Sequence, residues 1–385
     1  MLPALPRLPD VRSLVDLKAY FVLHAPRQTG KTTAIQSFVA KLNEDRSYYA
    51  LYCTVEQLKG MIDADAAMMK LAKKISTLLD HSNVEALKNL SGNAFLEELN
   101  SNNAFSSFPL TICLSSLCEK LDKDLVIFFD EVDSITDDVL LSLLTNLRTG
   151  YIERKLTPFP RSIALVGMRN IRDYRIKIRP DTQTMGSFSP FNIIKKVLTL
   201  SNFTPVEIAS LYAQHSEASG QVFEEEAVQR VWYWTEGQPW LVNALAAEVV
   251  EDILRHDYTK PINASLIDQA ADNLVRRRDT HIDSLLARLS EPGVLKVIES
   301  VISLSSTSVN NYKADKISGE SYNNSLQYCI DLGLIKQEDM PQPANRIYAS
   351  IIMRYLNQNV IVDISNDQAN AWMDGNKIKM NGLLK

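Results

Sequence analysis

The segment over residues 20–37, YFVLHAPRQTGKTTAIQS, constrains the fold of this chain more strongly than any other stretch. An apolar run typical of a buried strand leads into a Gly-Lys-Thr sequence, and apolar residues at helical spacing follow it. A strand, a loop and a helix in this order cradle phosphate, because backbone N–H groups gather at the helix N-terminus, where the dipole favours anions. The sequence therefore predicts a P-loop within an α/β fold.

The predicted loop has alanine where the usual P-loop pattern has its first glycine. We expect Lys31 to reach the β- and γ-phosphate oxygens and Thr32 to offer its hydroxyl to Mg²⁺. The alternative for Lys31 is a solvated lysine at the start of a helix. The candidate nucleotide-binding residues of the loop are Ala25, Pro26, Arg27, Gln28, Thr29, Gly30, Lys31, Thr32 and Thr33.

A second decisive stretch, DLVIFFDEV, lies about a hundred residues further along the chain. Its five apolar residues from Leu125 to Phe129 predict a fully buried parallel strand, with Asp130 and Glu131 at the C-terminal end, where ligands bind in such sheets. Asp130 is predicted to hold Mg²⁺ and Glu131 to activate the attacking water as general base. Two solvated carboxylates at a strand end are the alternative, but the P-loop upstream favours a Walker B motif.

Another buried strand is predicted over residues 162–166, and the sequence Gly-Met-Arg-Asn follows it. An ATPase places a polar sensor beside the γ-phosphate at this point of the fold. Arg169 is therefore the candidate sensor and Asn170 the second choice. The alternative is an ordinary arginine at a strand end.

Basic residues dominate the segment from Arg148 to Arg179, which contains nine arginines and lysines but only two acidic residues. Three interpretations stay open: a surface that faces DNA, an arginine finger for a neighbouring subunit, or a solvated loop that covers the sheet edge. The whole chain has a net charge of -5 and a pI near 5.7. A protein that mainly coats nucleic acid or an anionic membrane is usually basic, so any DNA contact depends on a local patch.

The second half of the chain is predicted to be mainly helical. Thr204, Pro205 and Glu207 form the pattern of a capping box with a proline in the first helical turn. Between two later helices, Gly237 suits a helix C-cap and Pro239 the first turn of the next helix. The spacing alone therefore predicts a structural turn at that point.

The C-terminal part has the pattern of a winged helix. Helices are predicted over residues 264–289, 292–304 and 321–332, and a strand at 334–336 with an apolar run at 347–352 would form the hairpin. The helix that would enter a major groove offers no arginine or lysine, so DNA reading and a protein-interaction or lid role both stay open. Its candidate groove-facing residues are Tyr322, Asn323, Asn324 and Gln327.

Four cysteines lie in apolar surroundings without the spacing of a metal site. No apolar run approaches the roughly 18–20 residues that span a bilayer, and the proline-interrupted N-terminus does not resemble a signal peptide. We therefore expect free thiols in a reducing compartment, no membrane segment and a cytoplasmic protein.

With these motifs in place, the chain resembles the additional-strand P-loop ATPases of the AAA+ and STAND groups, and more narrowly the bacterial AAA-like ATP-binding proteins. Three stretches carry the resemblance: HAPRQTGKTT at residues 24–33, QPWLVNALA at 238–246 and RRDTHIDSL at 277–285. The resemblance implies a five-strand parallel core, in which the P-loop strand lies between the sensor strand and the final strand. It also implies a helical lid and a C-terminal winged helix.

We accordingly divide the chain into a P-loop ATPase core (residues 1–201), a helical lid (202–262), a helical and winged-helix domain (263–360) and a tail (361–385). In the STAND group a Gly-x-Pro turn contacts the bound nucleotide. The resemblance therefore makes Gly237 and Pro239 candidate nucleotide-binding residues, beyond the structural turn that spacing predicts.

Together these patterns predict an ATP-binding protein that hydrolyses ATP with Mg²⁺ and acts as a conformational switch or motor. Glu131 and Arg169 are the candidate catalytic residues, and Thr32 and Asp130 the candidate metal-binding residues. Two alternatives stay open: a nucleotide-dependent DNA-binding ATPase of a mobile-element or defence system, and an ADP/ATP switch with negligible turnover. The expected partners are a nucleotide and an unidentified protein. Binding to DNA and nucleotide-dependent self-association both stay open. The resemblance implies that the nucleotide is ATP and not GTP.

Overall fold

The computed structural model describes residues 7–90, 108–168, 193–277, 280–306, 320–336, 338, 340–357, 373–374 and 377–378. The chain forms two compact units, Met1–Ser201 and Asn202–Lys385. The candidate sensor residues Arg169 and Asn170, and most of the basic segment around them, lie outside the described residues.

The first unit is built on a parallel five-stranded sheet. Its strands are β1 (Tyr20–His24), β2 (Tyr49–Thr54), β3 (Leu125–Asp130), β4 (Ser162–Gly167) and β5 (Ile194–Thr199). Their order across the sheet is β2-β3-β4-β1-β5, and every neighbouring pair is parallel. The strand before the P-loop therefore lies between β4 and β5, and the α/β fold class with five parallel strands is confirmed.

Helices cover both faces of this sheet. They are α1 (Pro9–Asp16), α2 (Lys31–Glu44), α3 (Ala64–Asp80), α4 (Glu85–Lys88), α5 (Pro109–Lys120) and α6 (Asp137–Glu153). Alternate residues of β1 show the two layers, since Tyr20 and Val22 pack in the core with α3, α5 and α6, whereas Phe21 and Leu23 pack with α1 and α2. This alternation follows from the two-residue period of a strand.

The central strand β3 is covered on both faces, and all six of its residues are buried. Its Phe128 ring meets the rings of Phe21 and Phe38 edge-to-face, at centroid distances of 6.3 Å and 5.8 Å. A continuous apolar run is what a parallel strand between two helix layers requires. Asp130, the last residue of β3, is therefore carried into a buried position by the packing of the strand.

The second unit is mainly helical. Its helices are α7 (Pro205–Ser219), α8 (Glu225–Thr235), α9 (Pro239–Ala247), α10 (Ala264–Arg276), α11 (Thr280–Leu289), α12 (Pro292–Ser306), α13 (Glu320–Asp331) and α14 over residues 346–357. The capping box predicted at Thr204 and Glu207 is present. Two short antiparallel pairs complete the unit: β6 (Ile335–Lys336) with β7 (Gln342–Pro343), and β8 (Met373–Asp374) with β9 (Lys377–Ile378).

The predicted hairpin strand at residues 347–352 is wrong, because this segment belongs to α14. The side chain of Asn345 accepts the N–H of Tyr348 at 2.8 Å, which caps the helix. Ile347, Tyr348, Ile351 and Ile352 are buried, and their spacing is that of one helix face. β6 pairs instead with β7, which lies between the two segments predicted to form the hairpin.

The single helix predicted over residues 264–289 is also wrong in part. Helix α10 ends at Arg276, and Arg277 has an extended backbone with φ -75 and ψ 149. The side chain of Arg277 donates to Glu248 at 2.7 Å and to Asp252 at 2.9 Å. Glu248 is 3% exposed and also accepts a bond from Asn273 at 2.7 Å. Arg277 thus neutralises a buried carboxylate, which explains why it leaves the helical path.

All four cysteines are free thiols. None of the helices that the structure describes has the length and apolar character required to cross a bilayer.

Replacing Arg277 with alanine should destabilise the second unit by about 1–3 kcal/mol, because a buried carboxylate loses its charged partner. We place the value below that of a fully buried pair, since the Arg277 side chain is 48% exposed. Urea denaturation followed by tryptophan fluorescence measures this, because all four tryptophans lie in the second unit. Arg276→Ala is the matched control, and an equal loss in both variants would contradict the assigned role.

Candidate nucleotide-binding site

The predicted P-loop connects β1 to α2 at the carboxyl edge of the sheet. Its backbone turns through two left-handed residues, Gln28 with φ 58 and Gly30 with φ 82. The hydroxyl of Thr29 donates to the Pro26 carbonyl at 2.8 Å, and the Ala25 N–H donates to the end of β4 at 3.2 Å. These bonds close the loop on itself and tie its first residue to the neighbouring strand.

Lys31 begins helix α2 and is 7% exposed, so it is not a solvated lysine. Its ammonium donates to the carbonyl oxygens of Ala25 and Pro26 at 2.7 Å and 2.9 Å. Burial lowers the pKa of Lys31, and the nearby carboxylates of Glu131, Asp133 and Asp130 oppose that shift. The ammonium is therefore held against the loop that the sequence predicts to bind phosphate.

Asp130 is fully buried, and its carboxylate accepts three hydrogen bonds from three separate segments. Its Oδ2 accepts the hydroxyls of Thr32 and Tyr52, both at 2.8 Å, and its Oδ1 accepts the Glu131 N–H at 2.9 Å. The P-loop threonine and the strand-end aspartate are 98 positions apart in the chain. The fold thus places the two candidate metal-binding residues in direct contact.

These two side chains fit Mg²⁺, which prefers hard oxygen donors such as hydroxyl and carboxylate oxygens. In the part of the chain that the structure describes, no three His, Cys, Asp or Glu side chains cluster to form a metal cage. A Mg²⁺ ion bound with a nucleotide keeps several waters and binds phosphate oxygens alongside one or two protein groups, and Thr32 and Asp130 offer two such groups.

Glu131 follows Asp130 in a left-handed conformation, with φ 62 and ψ 35. Such a backbone costs a non-glycine residue roughly 1–3 kcal/mol and persists only where surrounding contacts hold it. The Ser134 N–H donates to the Glu131 carbonyl at 2.9 Å. Burial raises the pKa of the half-buried Glu131 carboxyl, and the negative charges of Asp133 and Asp130 raise it further. A raised pKa improves a carboxylate as a proton acceptor.

The sequence prediction did not include Tyr52 or His24, although both lie at this edge of the sheet. The His24 ring contacts the Thr199 hydroxyl at 3.0 Å, joining the ends of β1 and β5. Burial lowers the pKa of His24, as does the neighbouring Lys31 ammonium. No local signal could have identified either residue, because both contacts depend on which strands are neighbours.

The candidate nucleotide-sensing turn belongs to the second unit. Gly237 has φ +76, and a Cβ at this position would lie 1.9 Å from the Phe203 carbonyl oxygen. The Phe203 N–H donates to the Gly237 carbonyl at 2.8 Å. Pro239 is the first residue of α9, and the Gln238 side chain caps that helix by accepting the Leu241 N–H at 2.6 Å. The structural turn predicted from spacing is present, and packing explains its glycine.

The parallel sheet, the loop that holds a buried lysine, and the threonine–aspartate contact together define a P-loop ATPase fold. The sequence matches the model of the AAA-like domain family over residues 15–327, and the chain belongs to this family.

Comparison with one solved structure of TM-score above 0.5 agrees on the fold. The Walker-type ATPase PABY2304 of Pyrococcus abyssi aligns with a TM-score of 0.59 and 15% identity, covering 90% of this chain and 95% of its own. The Aeropyrum pernix ORC1 protein in complex with DNA aligns with a TM-score of 0.43 and 13% identity, covering 94% of each chain. The Thermotoga maritima RuvB Holliday junction branch migration motor aligns with a TM-score of 0.43 and 13% identity, covering 89% of this chain and 91% of its own. No curated protein matches the sequence.

Replacing Tyr52 with phenylalanine should weaken the packing of β2 on β3, because buried Asp130 loses one of its hydroxyl donors. A bond to a charged group contributes about 1.5–3 kcal/mol, and we expect about 1–2 kcal/mol at this half-buried position. Amide hydrogen exchange of peptides covering the two strands should then accelerate by roughly 5- to 30-fold.

Tyr48→Phe is the matched control for this experiment. The Tyr48 hydroxyl also donates to an aspartate, Asp16, at 2.7 Å, but that carboxylate is exposed. Its loss should change exchange much less, because water replaces the missing donor. Equal acceleration in the two variants would show that the burial of Asp130 does not decide the effect.

Proposed function

We propose that this protein binds ATP together with Mg²⁺ and hydrolyses the β–γ phosphate bond, acting as a conformational switch or motor. The observation that carries the proposal is the 2.8 Å bond between Thr32 and buried Asp130, beside a P-loop that encloses the Lys31 ammonium. Membership of the AAA-like domain family supports the same function. The proposal for ATP over GTP rests on the resemblance of the sequence motifs.

The loop residues have distinct roles in this proposal. Backbone N–H groups between Ala25 and Thr33 bind the phosphates at the start of α2, where the helix dipole favours anions. Lys31 exchanges its bonds to loop carbonyls for bonds to the β- and γ-phosphate oxygens. Thr32 and Asp130 hold Mg²⁺, which when bound neutralises negative charge on the phosphate oxygens.

Glu131 is the proposed general base, which accepts a proton from the attacking water. Its position directly after Asp130 places it next to the proposed metal-binding residue, and its half-buried carboxylate has a raised pKa. Burial of this kind matches a carboxylate to proton transfer nearer to neutral pH than an exposed glutamate. This residue distinguishes an ATPase from a protein that only binds nucleotide.

The remaining roles are proposed from the sequence, that of Arg169 from its place after a predicted strand and those of Gly237 and Pro239 from the resemblance. Arg169 would sense the γ-phosphate, and Gly237 and Pro239 would contribute to nucleotide binding. Hydrolysis would then change the position of the lid and the C-terminal domain, as in other hinge-type switches. The division of the second unit into lid and winged helix belongs to this proposal, as does cytoplasmic location.

Steady-state hydrolysis by the wild type and by Glu131→Gln tests the proposal. Glutamine keeps the size of the side chain but cannot accept the proton, so kcat should fall by about 10²–10⁴-fold, while ATP affinity stays within about threefold. Lys31→Ala should instead abolish ATP binding. Glu153→Gln, at the exposed end of α6, is the matched control and should leave both quantities unchanged.

The outcomes separate the competing functions. If wild type and Glu131→Gln bind ATP equally and neither hydrolyses it, the protein is a binding-only switch. If Lys31→Ala binds ATP normally, the nucleotide site itself is wrongly placed. Adding duplex DNA at two salt concentrations tests the DNA-dependent alternative, because affinity that rests on phosphate contacts falls steeply with salt.

A further inference from the structure

We propose that Asp133 is a positioning residue, whose side-chain oxygen holds the end of β4 to the turn carrying Glu131 by accepting a hydrogen bond. The inference rests on the proposed function, because its effect on catalysis depends on Glu131 acting as the general base. It assigns a structural role to Asp133, which lies three residues after Asp130 and has entered the description of the site only through its charge.

The first observation is a hydrogen bond between two segments that follow neighbouring strands. Asp133 lies in the 3-10 turn Val132–Ser134 after β3, and its Oδ1 accepts the N–H of Met168 at 2.9 Å. Met168 follows the last residue of β4. The backbone pairing of β3 with β4 ends at Phe129 and Leu165, so this side chain extends the connection beyond the sheet.

The second observation is the close approach of Gly167 to the same carboxylate. A Cβ at Gly167 would lie 2.4 Å from Asp133 Oδ1 and 3.4 Å from Val132 Cγ2. A real Cβ does not come this close to a polar atom, so any larger residue would displace Asp133 or the strand end. A larger residue would fit here only if the Asp133 carboxylate moved away from the Met168 N–H.

The third observation places this contact between the two halves of the candidate site. The Gly167 carbonyl accepts the N–H of Ala25, the first residue of the P-loop, at 3.2 Å. The end of β4 is thus held by the P-loop on one side and by Asp133 on the other. A shift of this strand end would change the distance between the phosphate-binding loop and Glu131.

The strained backbone of Glu131 explains why the hydrogen bond between Met168 and Asp133 matters. The residue is left-handed, and the turn that follows it is closed by one backbone bond, from Ser134 to the Glu131 carbonyl. A strained residue keeps its conformation only where neighbouring contacts hold it. The bond from Met168 to Asp133 anchors this turn to β4, which fixes the direction of the Glu131 side chain.

An acceptor-only role makes a specific prediction for two substitutions. Asp133→Asn keeps an oxygen for the Met168 N–H and removes only a charge that adds to the burial-driven rise in the pKa of Glu131, so kcat should stay within about threefold of the wild type. Asp133→Ala removes the acceptor, and kcat should fall by about 10- to 100-fold, since a displacement of about 1 Å has such an effect on a reacting geometry. The KM for ATP should stay within about threefold in both, because Lys31 and Thr32 are unaltered.

Amide exchange gives a readout that does not depend on turnover. The Met168 amide, resolved by mass spectrometry with fragmentation, should exchange at least about tenfold faster in Asp133→Ala, and at the wild-type rate in Asp133→Asn. Gly167→Ala should reproduce the alanine variant by displacing the carboxylate. Asp138→Ala, an exposed acid in the first turn of α6, is the matched control and should change neither readout.

The results distinguish this inference from the proposed function. If Asp133→Asn loses as much activity as Asp133→Ala, the charge is required, as for a metal ligand or proton acceptor, and the inference is overturned. Unchanged Met168 exchange in Asp133→Ala overturns it as well. If the wild type does not hydrolyse ATP, the proposed function fails, and the exchange of Met168 in the three variants still decides whether Asp133 holds β4.

Discussion

The first unit depends on how the carboxylate of Asp130 is satisfied. A buried charge without partners costs several kcal/mol, so this residue is stable only because three donors surround it. The donors come from α2, β2 and the turn after β3, and each is positioned by a different part of the fold. The contact that would bind Mg²⁺ is therefore also a contact that holds the P-loop helix to the centre of the sheet.

The end of β4 has a comparable place in the candidate site. It meets the P-loop through Ala25 and the turn after Glu131 through Asp133, and a residue larger than Gly167 would displace the Asp133 carboxylate. Parallel strands end at one edge of the sheet, so the loop, Glu131 and the strand end meet without any long connection. The left-handed backbone of Glu131 persists because these contacts hold the turn around it.

The second unit shows how a local pattern is overridden by burial. The apolar run at residues 347–352 suits a strand by composition, but its residues bury one helix face once Asn345 caps the segment. The sequence around the end of α10 suits a continuous helix over residues 264–289. Arg277 instead turns away to neutralise Glu248, since an unpaired buried carboxylate would cost more than one helical residue.

The sequence alone determined the local features of the first unit. Strand, loop and helix around Lys31, and the buried strand ending at Asp130, were predictable because apolar period, glycine and strand-end acids act over a few neighbouring residues. Only the tertiary structure decided that Tyr52 contacts Asp130, that His24 contacts Thr199 and that Asp133 contacts Met168. These contacts join different strands, and the order of strands in a sheet depends on the packing of the whole unit, which no local pattern encodes.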